Sequence, residues 1–123
     1  MGPRLQHRGI AKKLLIFAVA AAMTSLLFIN WCDLVYRCGC RSLWNGAATA
    51  CNIHTPGVAH CPWCVGSAGD ISYGLILLTQ AMISFWPGAL PATQRLLWAV
   101  LAFPVVGGIA ALAFGWASGY WNS

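Results

Sequence analysis

Residues 32–69 read CDLVYRCGCRSLWNGAATACNIHTPGVAHCPWCVGSAG and hold all six cysteines of the chain, together with His54 and His60. The stretches on both sides are strongly apolar. Cysteine is scarce in proteins, and its chemistry usually decides where it occurs. Because this segment has few aliphatic residues, it cannot fold around an apolar core of its own. We therefore expect bonds to sulfur to shape it and to carry the function of the chain.

The composition around this segment is that of a membrane protein. Of 123 residues, 59% are hydrophobic and 7% are charged, which predicts a single domain embedded in a lipid bilayer. Glu is absent, and Asp33 and Asp70 are the only acidic side chains, so a mechanism built on paired carboxylates is not expected. The net charge is +5. The basic residues form no patch interleaved with aromatic residues, and no nucleic-acid partner is predicted.

Three apolar runs predict an all-α integral membrane protein with three transmembrane helices. The first, 14–31, is uncharged and would span about 27 Å as a helix. The second, 70–86, ends at a Pro-Gly pair, which stops a helix. The third, 96–121, carries small residues at every fourth position: Gly107, Ala111, Gly115 and Gly119. A face of this kind packs closely against helices of the same chain or of other membrane subunits.

The basic residues set the expected orientation. With the N-terminus in the cytoplasm, five lie inside (Arg4, Arg8, Lys12, Lys13 and Arg95) and two outside (Arg37 and Arg41). Short cytoplasmic segments carry the Lys/Arg excess. The cysteine segment is therefore expected outside the cytoplasm, on a bacterial inner membrane or a plasma membrane, where disulfides persist.

These expectations divide the chain into seven segments. They are a basic cytoplasmic arm (1–13), a first span (14–31), a Cys/His-rich extracytoplasmic loop (32–69), a second span (70–86), a cytoplasmic turn (87–95), a third span (96–121) and an extracytoplasmic tail (122–123).

Metal binding is the favoured interpretation of the loop. The candidate ligands stand in three short clusters: Cys51 and His54; His60, Cys61 and Cys64; and Cys38 and Cys40. Ligands three positions apart are typical of zinc knuckles, and a closer pair of thiols suits copper(I). The sequence therefore predicts that the loop binds zinc or copper, or serves as an accessory module of a membrane complex.

Two alternatives stay open. Cys61-Pro-Trp-Cys64 has the form of a redox-active dithiol, which would make the chain a membrane thiol–disulfide oxidoreductase with Cys61 and Cys64 as catalytic residues. Six cysteines in an oxidising compartment can instead form three inert disulfides in a structural subunit, each adding about 2–4 kcal/mol. The sequence does not choose among the possible pairings.

Overall fold

The structure of the chain is a computed structural model that describes residues 3–122, with the backbone alone for residues 3–8, 43 and 48. Within this range the chain forms α1 (Pro3–Tyr36), α2 (Ala68–Ser84) and α3 (Ala92–Ala117), and no strand. Three short 3₁₀ helices lie between α1 and α2, at Leu43–Asn45, Ala47–Ala50 and Asn52–His54. A fourth, Tyr120–Asn122, follows α3. The prediction of an all-helical chain is confirmed.

Two of the described helices are long and apolar enough to cross a membrane. They are Gly9–Tyr36 within α1, and α3. The second predicted span corresponds to α2, which has 17 residues and is the shortest of the three helices. Membrane-length helices are therefore present at two of the three predicted positions.

The three helices pack against one another in pairs, and their shared interior is unusually polar. Thr24, Ser72, Gln80 and Ser84 are all fully buried. The Gln80 amide nitrogen donates to Thr24 Oγ1 at 2.8 Å and to the Ala99 carbonyl at 3.0 Å. Large aliphatic and aromatic side chains are instead exposed along all three helices. Exposed apolar side chains around an interior that includes polar groups are consistent with helices surrounded by lipid.

Helix α1 continues five residues beyond the predicted end of the first span and stops at Tyr36. The stop is local, because Arg37 adopts a left-handed backbone (φ 50°) and its N–H bonds the Asp33 carbonyl at 2.7 Å. The Asp33 carboxylate then accepts the Gly39 N–H at 2.8 Å. Cys32 consequently lies in the last turn of a long helix, whereas the sequence assigned it to the loop.

At the opposite end, Arg95 closes the connection between α2 and α3. Its guanidinium is 4% exposed. It donates to the carbonyls that end α2 and begin the following turn, those of Ile83, Ser84, Trp86 and Gly88, at 2.8–3.3 Å. A cation is favourable there, because the last carbonyls of a helix lack backbone donors and carry partial negative charge.

Helix α3 ends at Ala117, four residues before the predicted limit. Gly119 adopts a left-handed conformation (φ 71°), so the chain turns and carries Tyr120 and Trp121 back onto Tyr36. On the small-residue face of α3, Ala111 is fully buried and Gly107 and Gly115 are buried. An added methyl at Gly107 would meet the Trp31 ring at 3.2 Å. These three positions thus pack against residues of the same chain, and contact with other membrane subunits stays a prediction.

Candidate metal centre

The sulfur atoms of all six cysteines converge at the end of the bundle where α1 stops. Cys32 is central: its sulfur lies 3.0 Å from that of Cys61, 3.5 Å from that of Cys38 and 4.0 Å from that of Cys64. The sulfurs of Cys40 and Cys64 are 3.4 Å apart. Two overlapping groups of four have all their sulfurs within 4.8 Å of one another: Cys32, Cys38, Cys40 and Cys64; and Cys38, Cys51, Cys61 and Cys64.

The sulfur separations match shared coordination rather than covalent pairing. A disulfide brings two sulfurs to about 2.05 Å, and all six cysteines, which lie within the described residues, are free thiols. With a zinc–sulfur bond of about 2.3 Å, the edge of a tetrahedral thiolate site is about 3.8 Å. The observed separations are 3.0, 3.4, 3.5 and 4.0 Å, three of them shorter than that edge and one longer. The predicted disulfides are therefore not formed in this structure, and the cluster could hold a metal ion.

A sharp reversal after α1 returns Cys38 and Cys40 to the helix end. Gly39 has φ 88°, and a β-carbon there would lie 2.6 Å from the Ala50 carbonyl oxygen, so the reversal requires glycine. The Cys38 carbonyl accepts the Asn52 N–H at 2.6 Å. The segment that carries Cys38 and the one that follows Cys51 are thus joined through their backbones.

Asn52 links three parts of the site. Its side-chain oxygen accepts the Cys61 N–H at 2.8 Å, and its amide nitrogen donates to the Tyr120 hydroxyl at 2.9 Å. That hydroxyl in turn donates to the Tyr36 carbonyl at 2.6 Å. Burial raises the pKa of Tyr120, so its hydroxyl stays a donor. One amide therefore fixes Cys61 relative to the ends of α1 and α3.

The Cys61–Cys64 segment forms a turn that rests on α2. The N–H groups of Cys64 and Val65 donate to the Cys61 carbonyl at 3.1 and 3.2 Å. The first turn of α2 approaches so closely that a β-carbon on Gly69 would overlap the Trp63 carbonyl. This contact holds the turn against the helix that follows it.

Aromatic side chains cover the cluster. Trp63 stacks on Phe28, with ring centroids 4.6 Å apart, and meets Tyr36 edge to face. The Tyr36 hydroxyl donates to the Ala111 carbonyl of α3. A cavity of about 180 Å³ borders three of the cysteines and two of these rings, with the lining Phe28, Ile29, Cys32, Cys40, Trp63 and Cys64. It offers an ion a path to the sulfurs.

Contacts among the crowded thiols shift their pKa values in opposite directions. Hydrogen bonding from Cys32 lowers the pKa of Cys38 and that of Cys61, because each can accept an S–H as a thiolate. The pKa of Cys64 is raised by its hydrogen bond with Cys32, and that of Cys40 by burial. These opposite shifts mean that some sulfurs of the cluster give up a proton more readily than others, and thiolates are the form that binds metal.

The predicted site residues separate into two sets. Cys38, Cys40, Cys51, Cys61 and Cys64 all belong to the sulfur cluster. The two histidines are exposed and belong to neither group of four. The ring of His60 lies 3.2 Å from the Thr55 carbonyl, within its own turn.

Sequence reasoning missed Cys32 as a candidate ligand. A signal existed in the helical spacing of α1, whose most buried residues lie four or eight positions apart: Ile16, Ala20, Thr24, Cys32 and Tyr36. Extending that inward face past Trp31 would have placed Cys32 at the end of the bundle core. Asn52 was also missed, and it lies outside any recognisable motif.

The geometry does not favour thiol–disulfide exchange at Cys61 and Cys64. The Cys61 sulfur is 3.0 Å from Cys32, and Cys61 is completely buried. An exchanging thiolate attacks the partner's disulfide and needs access to it; Cys61 has no exposed surface, whereas Cys64 is partly exposed.

No family model, curated protein or solved structure matches the chain in sequence or in fold. The fold and the site nevertheless define a class of protein. It is a small helical protein with membrane-length helices and, at one end, a cluster of six thiols able to hold a metal ion.

Proposed function

We propose that this chain is a membrane-embedded metal-binding protein whose cysteine cluster holds a soft ion, zinc or copper(I), through thiolates. The observation that carries the proposal is the convergence of sulfurs from four separate segments: Cys32, Cys38 with Cys40, Cys51, and Cys61 with Cys64. Thiolate ligands select zinc and copper(I) over harder cations such as magnesium or calcium. The buried, aromatic surroundings would strengthen binding further, because they exclude competing water.

In this proposal α2 crosses the bilayer together with α1 and α3. Its 17 residues span about 26 Å, close to the hydrocarbon thickness. Ile71, Leu75, Leu78 and Met82 are each about half exposed, whereas Ser72, Gln80 and Ser84 face the interior. A helix with aliphatic residues outside and polar residues inside is unstable in water and stable in lipid.

We assign the cysteine end to the extracytoplasmic side. Arg95 caps a helix and is nearly inaccessible. It therefore says little about which side of the membrane it lies on. Without it, the basic arm at 4–13 still carries four positive charges, against two at the cysteine end. That difference supports a cytoplasmic N-terminus. Reporter enzymes fused after residue 123 and before residue 1 would report opposite sides under three spans.

The site would act as the metal-holding module of a membrane complex, with lipid as its immediate surroundings. This role is consistent with the position of the thiols, which gather where α1 ends.

The test is metal analysis of the full-length protein purified in detergent under reducing, oxygen-free conditions. We expect stoichiometric zinc or copper, thiols protected from alkylation, and release of both ion and protection by a strong chelator. Cys32→Ser should lower the bound metal, whereas His54→Ala and His60→Ala should not. Fully reactive thiols in the presence of excess zinc and of copper(I), or three disulfides in the protein as isolated from the membrane, would contradict the proposal.

A further inference from the structure

We propose that the six thiols bind two metal ions, with Cys38 and Cys64 as thiolates shared by both. This inference rests on the proposed metal-binding function and adds the number of ions and the role of each ligand. In it, Cys32 and Cys40 are terminal ligands of one ion, and Cys51 and Cys61 are terminal ligands of the other.

The assignment follows the two groups of four that together contain every cysteine; Cys32, Cys38, Cys61 and Cys64 also lie within 4.8 Å of one another, but an ion in that group leaves Cys40 and Cys51 unbound. Each group of four has every sulfur within 4.8 Å of the others, which is the spread a tetrahedral ion can gather. The two groups have Cys38 and Cys64 in common, and together they include every cysteine of the chain. Two tetrahedra that share an edge therefore use all the sulfurs, with none left over.

The contacts of the two shared residues fit a bridging position. Cys64 lies 3.4 Å from Cys40 and 4.0 Å from Cys32, both of the first group, and belongs equally to the second. Cys38 lies 3.5 Å from Cys32, and its backbone carbonyl is bonded to Asn52, the residue after Cys51. Each shared cysteine therefore has a neighbour, in space or along the chain, among the terminal ligands of each group.

Charge favours two divalent ions over one. A single zinc on four thiolates has a net charge of about −2 and leaves two thiols idle. Two zinc ions on six thiolates also have a net charge of about −2, so the second ion adds bonds without adding charge to a buried site. Two copper(I) ions would leave a charge of about −4, which is more costly in a low-dielectric environment. Arg37 and Arg41 flank Cys38 and Cys40 in the sequence and are both exposed.

The alternative of one ion leaves two buried thiols next to the charged site. If the ion occupied the first group, those thiols would be Cys51 and Cys61, which are 1% and 0% exposed. Cys61 would then stay 3.0 Å from a metal-bound Cys32 sulfur without a metal of its own. With two ions, both sulfurs are metal-bound thiolates of different ions, so Cys32 and Cys61 have to move apart from 3.0 Å when the metal binds.

The experiment is a titration of the reduced, metal-free, full-length protein in detergent, first with zinc and then with cadmium-113 observed by NMR. We expect two equivalents of zinc and two cadmium resonances in the region of sulfur ligands. A scalar coupling between the two cadmium nuclei is expected, because it passes only through a shared ligand.

Matched variants separate the ligand roles. Cys40→Ser and Cys51→Ser each remove a terminal ligand of one ion, so each should retain the other ion. Cys38→Ser removes a bridge and should weaken both ions at once. His60→Ala, at an exposed residue outside both groups, serves as the control and should retain both ions.

The outcomes distinguish this inference from the proposed function. One equivalent of zinc, with a single cadmium resonance and two thiols still open to alkylation, overturns the paired site and leaves metal binding intact. Two uncoupled resonances, with Cys38→Ser losing only one, overturn the bridges. Absence of any binding overturns both proposals. Because stoichiometry and coupling are measured on the unmodified chain, a variant that fails to fold does not affect the decision.

Discussion

Asn52→Ala is expected to loosen the cysteine cluster by weakening the attachment of Cys61. The substitution removes the acceptor of the buried Cys61 N–H and the donor to the Tyr120 hydroxyl. A lost hydrogen bond costs about 1 kcal/mol, and a stranded buried N–H about 1–3 kcal/mol. The free energy of local opening should therefore fall by about 2–4 kcal/mol.

The assay is the alkylation rate of Cys61 in the reduced, metal-free protein, followed by mass spectrometry of its peptide. A buried thiol reacts only when the structure opens, so its rate follows the opening equilibrium. At 1.4 kcal/mol per factor of ten, the expected acceleration is about 30-fold to 700-fold. Excess zinc should slow the reaction in both proteins, because it binds the closed cluster alone.

Two further variants make the measurement specific. Asn52→Asp keeps an acceptor for the Cys61 N–H and loses the donor to Tyr120, so about a fivefold acceleration is expected. Asn45→Ala, at an exposed position in the same loop, should leave the rate within about twofold of the original. If Cys61 in Asn52→Ala reacts at the original rate, or if it already reacts freely in the unmodified protein, the linking role of Asn52 is refuted.

Three further tests address the bundle and its contact with the loop, the first two by thermal unfolding in detergent and the third by zinc binding. Gln80→Leu should change the unfolding free energy by less than about 1 kcal/mol, whereas Gln80→Ala should lower it by about 2–3 kcal/mol because it opens a cavity; equal losses would contradict this. Arg95→Ala should lower it by about 1–3 kcal/mol, because the carbonyls that end α2 lose their donor, and an unchanged value would contradict the cap. Gly69→Ala should weaken zinc binding, because its methyl group displaces Trp63. Gly74→Ala serves as the control, because its methyl group would meet nothing within 4 Å, and it should leave zinc binding unchanged. Equal effects of the two substitutions would rule out the contact.

The helices were largely predictable from the sequence because hydrophobic runs and Pro-Gly stops are local signals. Their ends were not. The expected end of the first span at residue 31 followed the loss of apolar character, but the helix continues to Tyr36. Its end is set by Asp33 and by two positive φ angles, at Arg37 and Gly39. Backbone hydrogen bonds and tertiary burial thus extended the helix beyond the point where hydropathy falls.

The site was predictable in its location and only partly in its membership. Residue spacing correctly singled out the thiols of the loop as neighbours, because cysteines two or three positions apart cannot be far from one another. Residue spacing favoured His54 and His60 as ligands as strongly as the cysteines, because spacing does not show which way a side chain on a turn faces. Both histidines are exposed. Cys32 lies 29 positions from Cys61 along the chain, a proximity that only the packed bundle creates.

The six cysteines of the cluster lie on backbone segments that differ in regularity. Cys32 lies in the last turn of a 34-residue helix, while the other five cysteines lie in turns and irregular loop. If the proposed metal site is correct, the five loop sulfurs should adjust to the radius of the ion more readily than the sulfur of Cys32. The site should therefore select weakly among ions of different radius and strongly for ions with a high affinity for sulfur. Cadmium and mercury should then compete effectively with zinc.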